Sequence, residues 1–285
     1  MSTRILVAGA TGNIGQALTA ELMRNPAGLE VIAASPKGQS VAGATARSLD
    51  CLKPASAAKA LQGVDRLFLL TPPHPEMEAM TANAVAAARE AGVGHIVRIG
   101  GAGADADSEV AIARLQGRCD LLVTRSGIPY TLLQPKNFMQ NFATFLRDML
   151  RSGSVYSSQG EGRVPFVDTR DVAAAAAAVL RAPQEHAGQR YVLTGPEALT
   201  NAEALALIGK EIGREIALVP ITEEQAVAAM LAGGMPESLA QAMSSLNRII
   251  AAGWAAEVSP DLPRLLGRPA TPVAVFAHDY RGEWI

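Results

Sequence analysis

The chain has 285 residues, 49% apolar and 18% charged, with 25 Lys and Arg against 27 Asp and Glu. That is more than one average domain and enough to bury a core without staples. The formal charge of −2 gives no electrostatic footprint for nucleic acid or an anionic membrane, and no run of about 18 apolar residues is present to span a bilayer.

The first half alternates short apolar runs with amphipathic stretches. Strands are expected at RILVAG, LEVIAA, a short TARSL, DRLFLLT, GHIVRIG and PYTLLQ. Helical patterns lie near 13–24, 54–62, 76–91, 108–126 and 137–151. Continuous Val/Ile/Leu runs are the mark of parallel strands buried on both faces. Strand–helix alternation with right-handed crossovers then predicts an α/β, Rossmann-type, doubly wound parallel sheet. After about residue 152 the pattern changes to the turn-rich GSVYSSQGEGRVPFVDTRD. An Ala-rich helix follows, which Asp171 can cap and Pro183 can end. QRYVLTG reads as a strand, TNAEALALIGKEIG as a helix capped by Thr200 or Asn201, and 222–252 as helices interrupted by AGGMPES. The expected organisation is a dinucleotide-binding domain over 1–152 and a smaller, mainly helical substrate part over 153–285. Segments around 165–195 are expected to return to the first sheet.

Between the first strand and the first helix stand Gly9, Gly12 and Gly15. Gly9 permits a tight turn, Gly12 lets backbone approach a pyrophosphate, and Gly15 lets helix and strand pack closely. The helix end supplies unpaired N–H groups for phosphate. About 20 residues on, an acidic residue would bind the ribose hydroxyls of NAD. This chain has IAASPKGQS there, with Ser35 and Lys37 and no carboxylate to repel a 2′-phosphate. NADP(H) is therefore expected, with NAD(H) less favoured. Asp50 and Cys51, after the third strand, are placed to border the adenine. Thr71, Pro72 and Pro73, after the fourth, are placed on the nicotinamide side.

VAGATGNIG together with SGIPYTLLQPKNFMQNF, PFVDTRDVAAAAAAVL and LLGRPATPVAVFAHD resembles the NmrA-like family of atypical short-chain dehydrogenases/reductases. The four blocks span nearly the whole chain. Its members include reductases of quinones, azo compounds and triphenylmethane dyes, and a dinucleotide-binding regulator. The resemblance implies that Gly9, Thr11, Gly12, Asn13, Ile14 and Gly15 line the pyrophosphate. It also implies that Pro135, Asn137 and Phe138 flank the nicotinamide. The arginine the family often carries after the second strand is replaced here by Ala34-Ser35, which leaves the 2′-phosphate to Lys37.

Ordinary short-chain dehydrogenases use a Tyr-x-x-x-Lys pair. Four positions beyond Tyr130, Tyr156, Tyr191 and Tyr280 stand Gln134, Gly160, Gly195 and Trp284, so no such pair exists. The catalytic positions implied by the resemblance hold Gln116 and Asp120, with Gly100 where a serine often stands. Neither Gln116 nor Gly100 can give up a proton near neutral pH. Asp120 is expected to be a solvated helix charge, with a role as base or orienter as the other reading. A simple ketone needs a donor because its product is an alkoxide. A quinone yields a phenolate-like anion, whose acid has a pKa of about 10 or lower, and solvent can protonate it. A planar aromatic acceptor, quinone-like or azo, is thus expected, reduced by orientation over the nicotinamide.

Asn137, Gln116, Asp120 and Tyr156 are the catalytic candidates. His74, Phe138, Met139, Phe142, Tyr156, Phe166, Met230 and Trp254 are the candidate substrate wall, for which ordinary core is the competing reading of the methionines. His74, His95, His186 and His278 are scattered and Cys51 and Cys119 form no CxxC pair, so no metal site is expected. MSTRILV runs straight into a strand pattern, so a cytoplasmic monomer or homodimer acting on a small aromatic molecule is expected, with no nucleic-acid or membrane partner. Two alternatives stay open, an NADP(H)-binding sensor without catalysis and a reductase of a biosynthetic imine or enone.

Overall fold

The computed structural model describes residues 2–285. The chain divides into two compact units. One comprises Met1–Glu109, Ala113–Gln134 and Val172–Val192, the other Val110–Ile112, Pro135–Asp171 and Leu193–Ile285.

The first unit contains β1 (Thr3–Ala8), α1 (Asn13–Arg24), β2 (Leu29–Ser35), β3 (Thr45–Ser48), α2 (Pro54–Leu61), β4 (Arg66–Leu69), α3 (Met77–Glu90), β5 (His95–Ile99), α4 (Ala111–Thr124) and most of β6 (Tyr130–Pro135). The seven-stranded sheet runs β3-β2-β1-β4-β5-β6-β8, where β8 is Arg190–Leu193. Every pairing from β3 through β6 is parallel. Ile5, Leu6 and Val7 are all fully buried, as expected for a strand covered on both faces. Alternate residues divide between those faces. Leu6, Ala8, Ile32, Ala34, Leu67, Leu69, Ile96 and Leu132 pack against Ala57, Leu61, Ala84, Ala88 and Val123 of α2, α3 and α4. Truncating one such leucine to Ala costs about 2–5 kcal/mol. The chain winds outward from β1 to β3 and then returns to β4 on the other side of β1. The carboxyl ends of β1 and β4 therefore form the point where an open α/β sheet leaves a crevice.

The second unit contains α5 (Gln140–Ala143), α6 (Arg147–Ser152), β7 (Ser154–Ser157), the start of α7 (Thr169–Arg181), α8 (Asn201–Ile212), β9 (Ala217–Pro220), α9 (Glu223–Ala232), α10 (Glu237–Ala251), α11 (Asp261–Leu266) and α12 (Val273–Tyr280). β7 and β9 form a parallel pair. The core joins Met139, Phe142, Phe166, Leu205, Ile208, Phe276 and Trp284. Phe142 meets Phe166 edge-on at 5.2 Å, and Trp284 Nε1 donates to Phe142 O at 2.8 Å. Thr200 and Thr222 close capping boxes with Glu203 and Gln225.

Two local expectations fail. The helical pattern over 137–151 breaks into α5 and α6. Phe138 forms a bridge with Val167, which holds the chain extended, and Thr144 leaves helical geometry at φ −124 and ψ −83. Asp171 does not cap α7. Asp168 Oδ1 accepts from Arg170 N–H at 2.8 Å, while the Asp171 carboxylate takes Arg268 Nη2 and Thr271 N–H, each at 2.6 Å. A buried carboxylate with a cation and an amide in reach binds those rather than a helix end.

Candidate functional site

The glycine loop leaves β1 at Gly9, whose φ of +74 is the left-handed geometry that glycine permits. Gly12 N–H donates to Gly9 O at 3.0 Å, and α1 then begins with Gly12 at its N-cap and no capping side chain. The first-turn N–H groups of Asn13, Ile14 and Gly15 therefore have no intrahelical acceptor. Gly12 and Asn13 are exposed, Thr11 is half-buried, and Ile14 and Gly15 are buried. The two later glycines have different reasons. A Cβ on Gly15 would overlap Gly9 O and lie 2.7 Å from Ala10 Cα, whereas one on Gly12 would meet only Gly9 O, at 3.5 Å. Close packing thus excludes a side chain at 15, while nothing among the described residues excludes one at 12. A cradle that a Cβ would fill, in front of open helix N–H groups, fits a dinucleotide diphosphate.

At the end of β2, Ser35 is buried and its Oγ accepts from Gln39 N–H at 3.1 Å. It ties a turn on which Lys37 is exposed without an ion pair to the described chain. Ser35 is thus a scaffold for the position of Lys37. Asp50 accepts from Leu52 N–H at 3.1 Å and pairs with Lys53, whose hydrogen bond holds its carboxyl below the usual range. The Cys51 thiol is buried in the core and pushed up to about 11 by that burial. Thr71 is buried, Pro72 and Pro73 are exposed, and His74 is half-buried with Nδ1 accepting from Glu76 N–H at 3.0 Å.

The largest departure from expectation is Asp120. It is 3% exposed and not a solvated helix charge. Arg98 of β5, 1% exposed, pairs with it through Nη1, and Gln134 Nε2 donates to its Oδ2 at 2.6 Å. Burial pushes the Asp120 carboxyl up, against the pull of Arg98 and Gln134. Arg98 Nη2 donates to Gln116 Oε1 at 2.8 Å. A Cβ on Gly100 would stand 2.6 Å from Arg98 Nη1 and 3.1 Å from Asp120 Oδ1, so the ion pair occupies the space a serine would need. Sequence reasoning missed Arg98 altogether. The available signal was a charge inside the buried run GHIVRIG, which demands a partner.

In the second unit, Asn137 and Phe138 are half-buried just beyond the carboxyl end of β6, and Asn137 O accepts from Val167 N–H at 2.9 Å. Pro135 is buried. Met139, Phe142 and Phe166 lie inside the core, which removes them from any surface a reactant could touch. Close packing on both sides consumed their apolar faces. Tyr156 is 51% exposed on β7, Trp254 is 75% exposed after α10, and Met230 is half-buried on α9. Among the described residues no group of three His, Cys, Asp or Glu side chains is placed to hold a metal ion. No helix among them is long and apolar enough to cross a membrane.

A parallel sheet with this strand order, and a glycine loop fitted for diphosphate at its switch point, define a Rossmann-type α/β protein. The chain belongs to the NmrA-like family, which it matches over residues 1–261. It is 38% identical to the NAD(P)H azoreductase of Xenophilus azovorans over 276 residues, 96% of each chain. Among solved structures it resembles the Citrobacter sp. triphenylmethane reductase complexed with NADP(H), with a TM-score of 0.82 and 29% identity over 99% of this chain and 100% of that one. It also resembles the NADPH-dependent quinone oxidoreductase of Escherichia coli complexed with NADPH, with a TM-score of 0.83 and 29% identity over 96% and 99%.

Proposed function

We propose that the chain is an NAD(P)H-dependent reductase, with NADPH preferred, that transfers hydride to a planar aromatic acceptor of the quinone or azo type. The named relatives support the class of reaction. The observation that carries the choice of acceptor lies at the carboxyl end of β5. The groups there are Gly100, Gly101 and the Gln116 amide, with Asp120 buried and committed to Arg98 and Gln134. None of these supplies a proton to an alkoxide.

The α1 end formed by Gly12, Asn13 and Ile14 would hold the diphosphate, and Lys37 the 2′-phosphate. Asp50 and the Cys51 backbone would border the adenine. Thr71 to Pro73 of the first unit are assigned to the nicotinamide side. Bound there, the dinucleotide supplies hydride. Within the second unit, Tyr156, Met230 and Trp254 stay as candidate substrate contacts. The same reading makes residues outside the sheet the substrate-binding part of a cytoplasmic monomer or homodimer. Its partner is a small molecule rather than nucleic acid, in keeping with the charge of −2.

The test is consumption of NADPH with a panel of quinones, azo dyes and imines. Turnover of quinones or azo dyes supports the proposal. Tight NADPH binding without turnover of any acceptor replaces it with a sensor, and turnover of imines alone replaces it with a biosynthetic reductase.

A further inference from the structure

Outside the glycine loop, one buried polar network joins β5, β6 and α4 in the first unit. Gln116 and Asp120 stand four residues apart on α4 and so share a face. Both bind the guanidinium of Arg98, through Nη2 and Nη1 respectively. Arg98 Nε, by contrast, is the one buried side-chain nitrogen or oxygen without a partner among the described residues. A guanidinium has donors and no acceptor. The atom of Gln116 that meets Arg98 must therefore be the carbonyl oxygen, and the amide cannot be turned over without losing the bond. The –NH2 end is left pointing away from Arg98, with no partner in the described chain. Gln116 is half-buried beside Gly101, where a Cβ would come within 3.4 Å of its Cγ. Gly100 and Gly101 bring no side chain to compete with it at the carboxyl end of β5, next to the strand that borders the switch point.

We propose that the Arg98–Asp120 pair is a positioning device that locks Gln116 as a hydrogen-bond donor to the negative charge developing on the acceptor's oxygen or nitrogen. This rests on the reductase reading above. The acceptor gains two electrons and one proton as hydride from the reduced nicotinamide dinucleotide. Its quinone oxygen or azo nitrogen is left with one negative charge, and water supplies the second proton. An oriented amide N–H stabilises that charge without titrating, because it is placed before the charge appears and need not reorganise. Asp120 and Arg98 act only through Gln116, so they are positioning residues.

The experiment compares the parent with Gln116→Glu and Gln116→Met, measuring NADPH affinity by fluorescence, kcat for a quinone from pH 5 to 8, and the apparent pKa of 4-nitrophenol bound to the oxidised holoenzyme. Glu keeps an acceptor for Arg98 but loses the donor. It should lower kcat about 100-fold at pH 8, the usual effect of removing one such donor, with NADPH affinity within about twofold. Its kcat should stay low from pH 8 to 5, because the Arg98 guanidinium keeps the new carboxyl ionised, while the parent stays flat at its higher value. The parent should lower the pKa of bound 4-nitrophenol, and the Met variant should not. A Glu variant with parental kcat at pH 8, or a nitrophenol pKa equal in parent and Met variant, overturns the inference alone. A parent that reduces no quinone or azo compound overturns the reductase reading with it.

Discussion

Valine placed separately at Gly12 and Gly15 should split binding from folding. At Gly12 the backbone sits at φ −82 and ψ 170, open to any residue, and the new Cβ meets only Gly9 O at 3.5 Å. The fold loses at most about 1 kcal/mol, the difference between glycine and valine at an N-cap. At Gly15 the Cβ overlaps Gly9 O and lies 2.7 Å from Ala10 Cα. Both are backbone atoms of a tight turn and cannot rotate aside. Overpacking of this kind costs about 3 kcal/mol or more, which lowers Tm by about 6–12 °C in a domain of this size. Dinucleotide affinity should behave in the opposite way. The Gly12→Val side chain covers the open N–H groups of α1 and removes one or two charge-assisted hydrogen bonds, about 3 kcal/mol or roughly 100-fold in Kd. Urea unfolding followed by fluorescence titration with NADPH measures both quantities on the same samples. A Gly12→Val protein that binds NADPH like the parent would refute the assignment of the loop. One that unfolds as readily as Gly15→Val would show that Gly12 serves packing.

Lys37→Ala should weaken NADPH about tenfold and leave NADH unchanged in the same titration, and equal losses would mean that Lys37 does not face the 2′-phosphate. Arg98→Met alone leaves Asp120 buried without its cation and should cost about 3–5 kcal/mol in urea unfolding, whereas Arg98→Met with Asp120→Leu should recover most of the loss. His95, buried with Nε2 2.9 Å from Thr131 Oγ1, has its pKa lowered to about 4, first by burial. Between about 6.5 and 4 the unfolded chain holds a proton that the folded chain does not, so stability should fall as pH drops through that window. The full effect is on the order of 3 kcal/mol, and urea unfolding at pH 7 and 4.5 should show a smaller fall for His95→Gln. Tyr156→Phe should keep quinone reduction within about tenfold of the parent. A loss of about 100-fold or more with unchanged NADPH affinity would make that hydroxyl the missing acid.

Much of this protein was written in short-range pattern. Runs such as ILVAG and the 3.6-residue periodicity after them are local, so the order of elements, the parallel sheet and the glycine turn between β1 and α1 are legible in the sequence alone. The absence of a Tyr-x-x-x-Lys pair was equally legible, since it needs only spacing. What the sequence could not say was which long-range partner each buried polar group would find. Asp120 looked like a helix surface charge because its cation, Arg98, is 22 residues away and its amide partner, Gln134, is 14 away on another strand. Asp171 looked like a cap until the fold brought Arg268 to it across 97 residues. Met139, Phe142 and Phe166 read as a pocket wall from their place after β6, and packing by α8 and α12 made them core. Local pattern fixes which face of an element is apolar, because side-chain direction follows the backbone repeat. Which group meets that face, and whether a charge on it is paired or solvated, depends on chain segments brought together only when the whole sheet closes, and only the tertiary structure decides it.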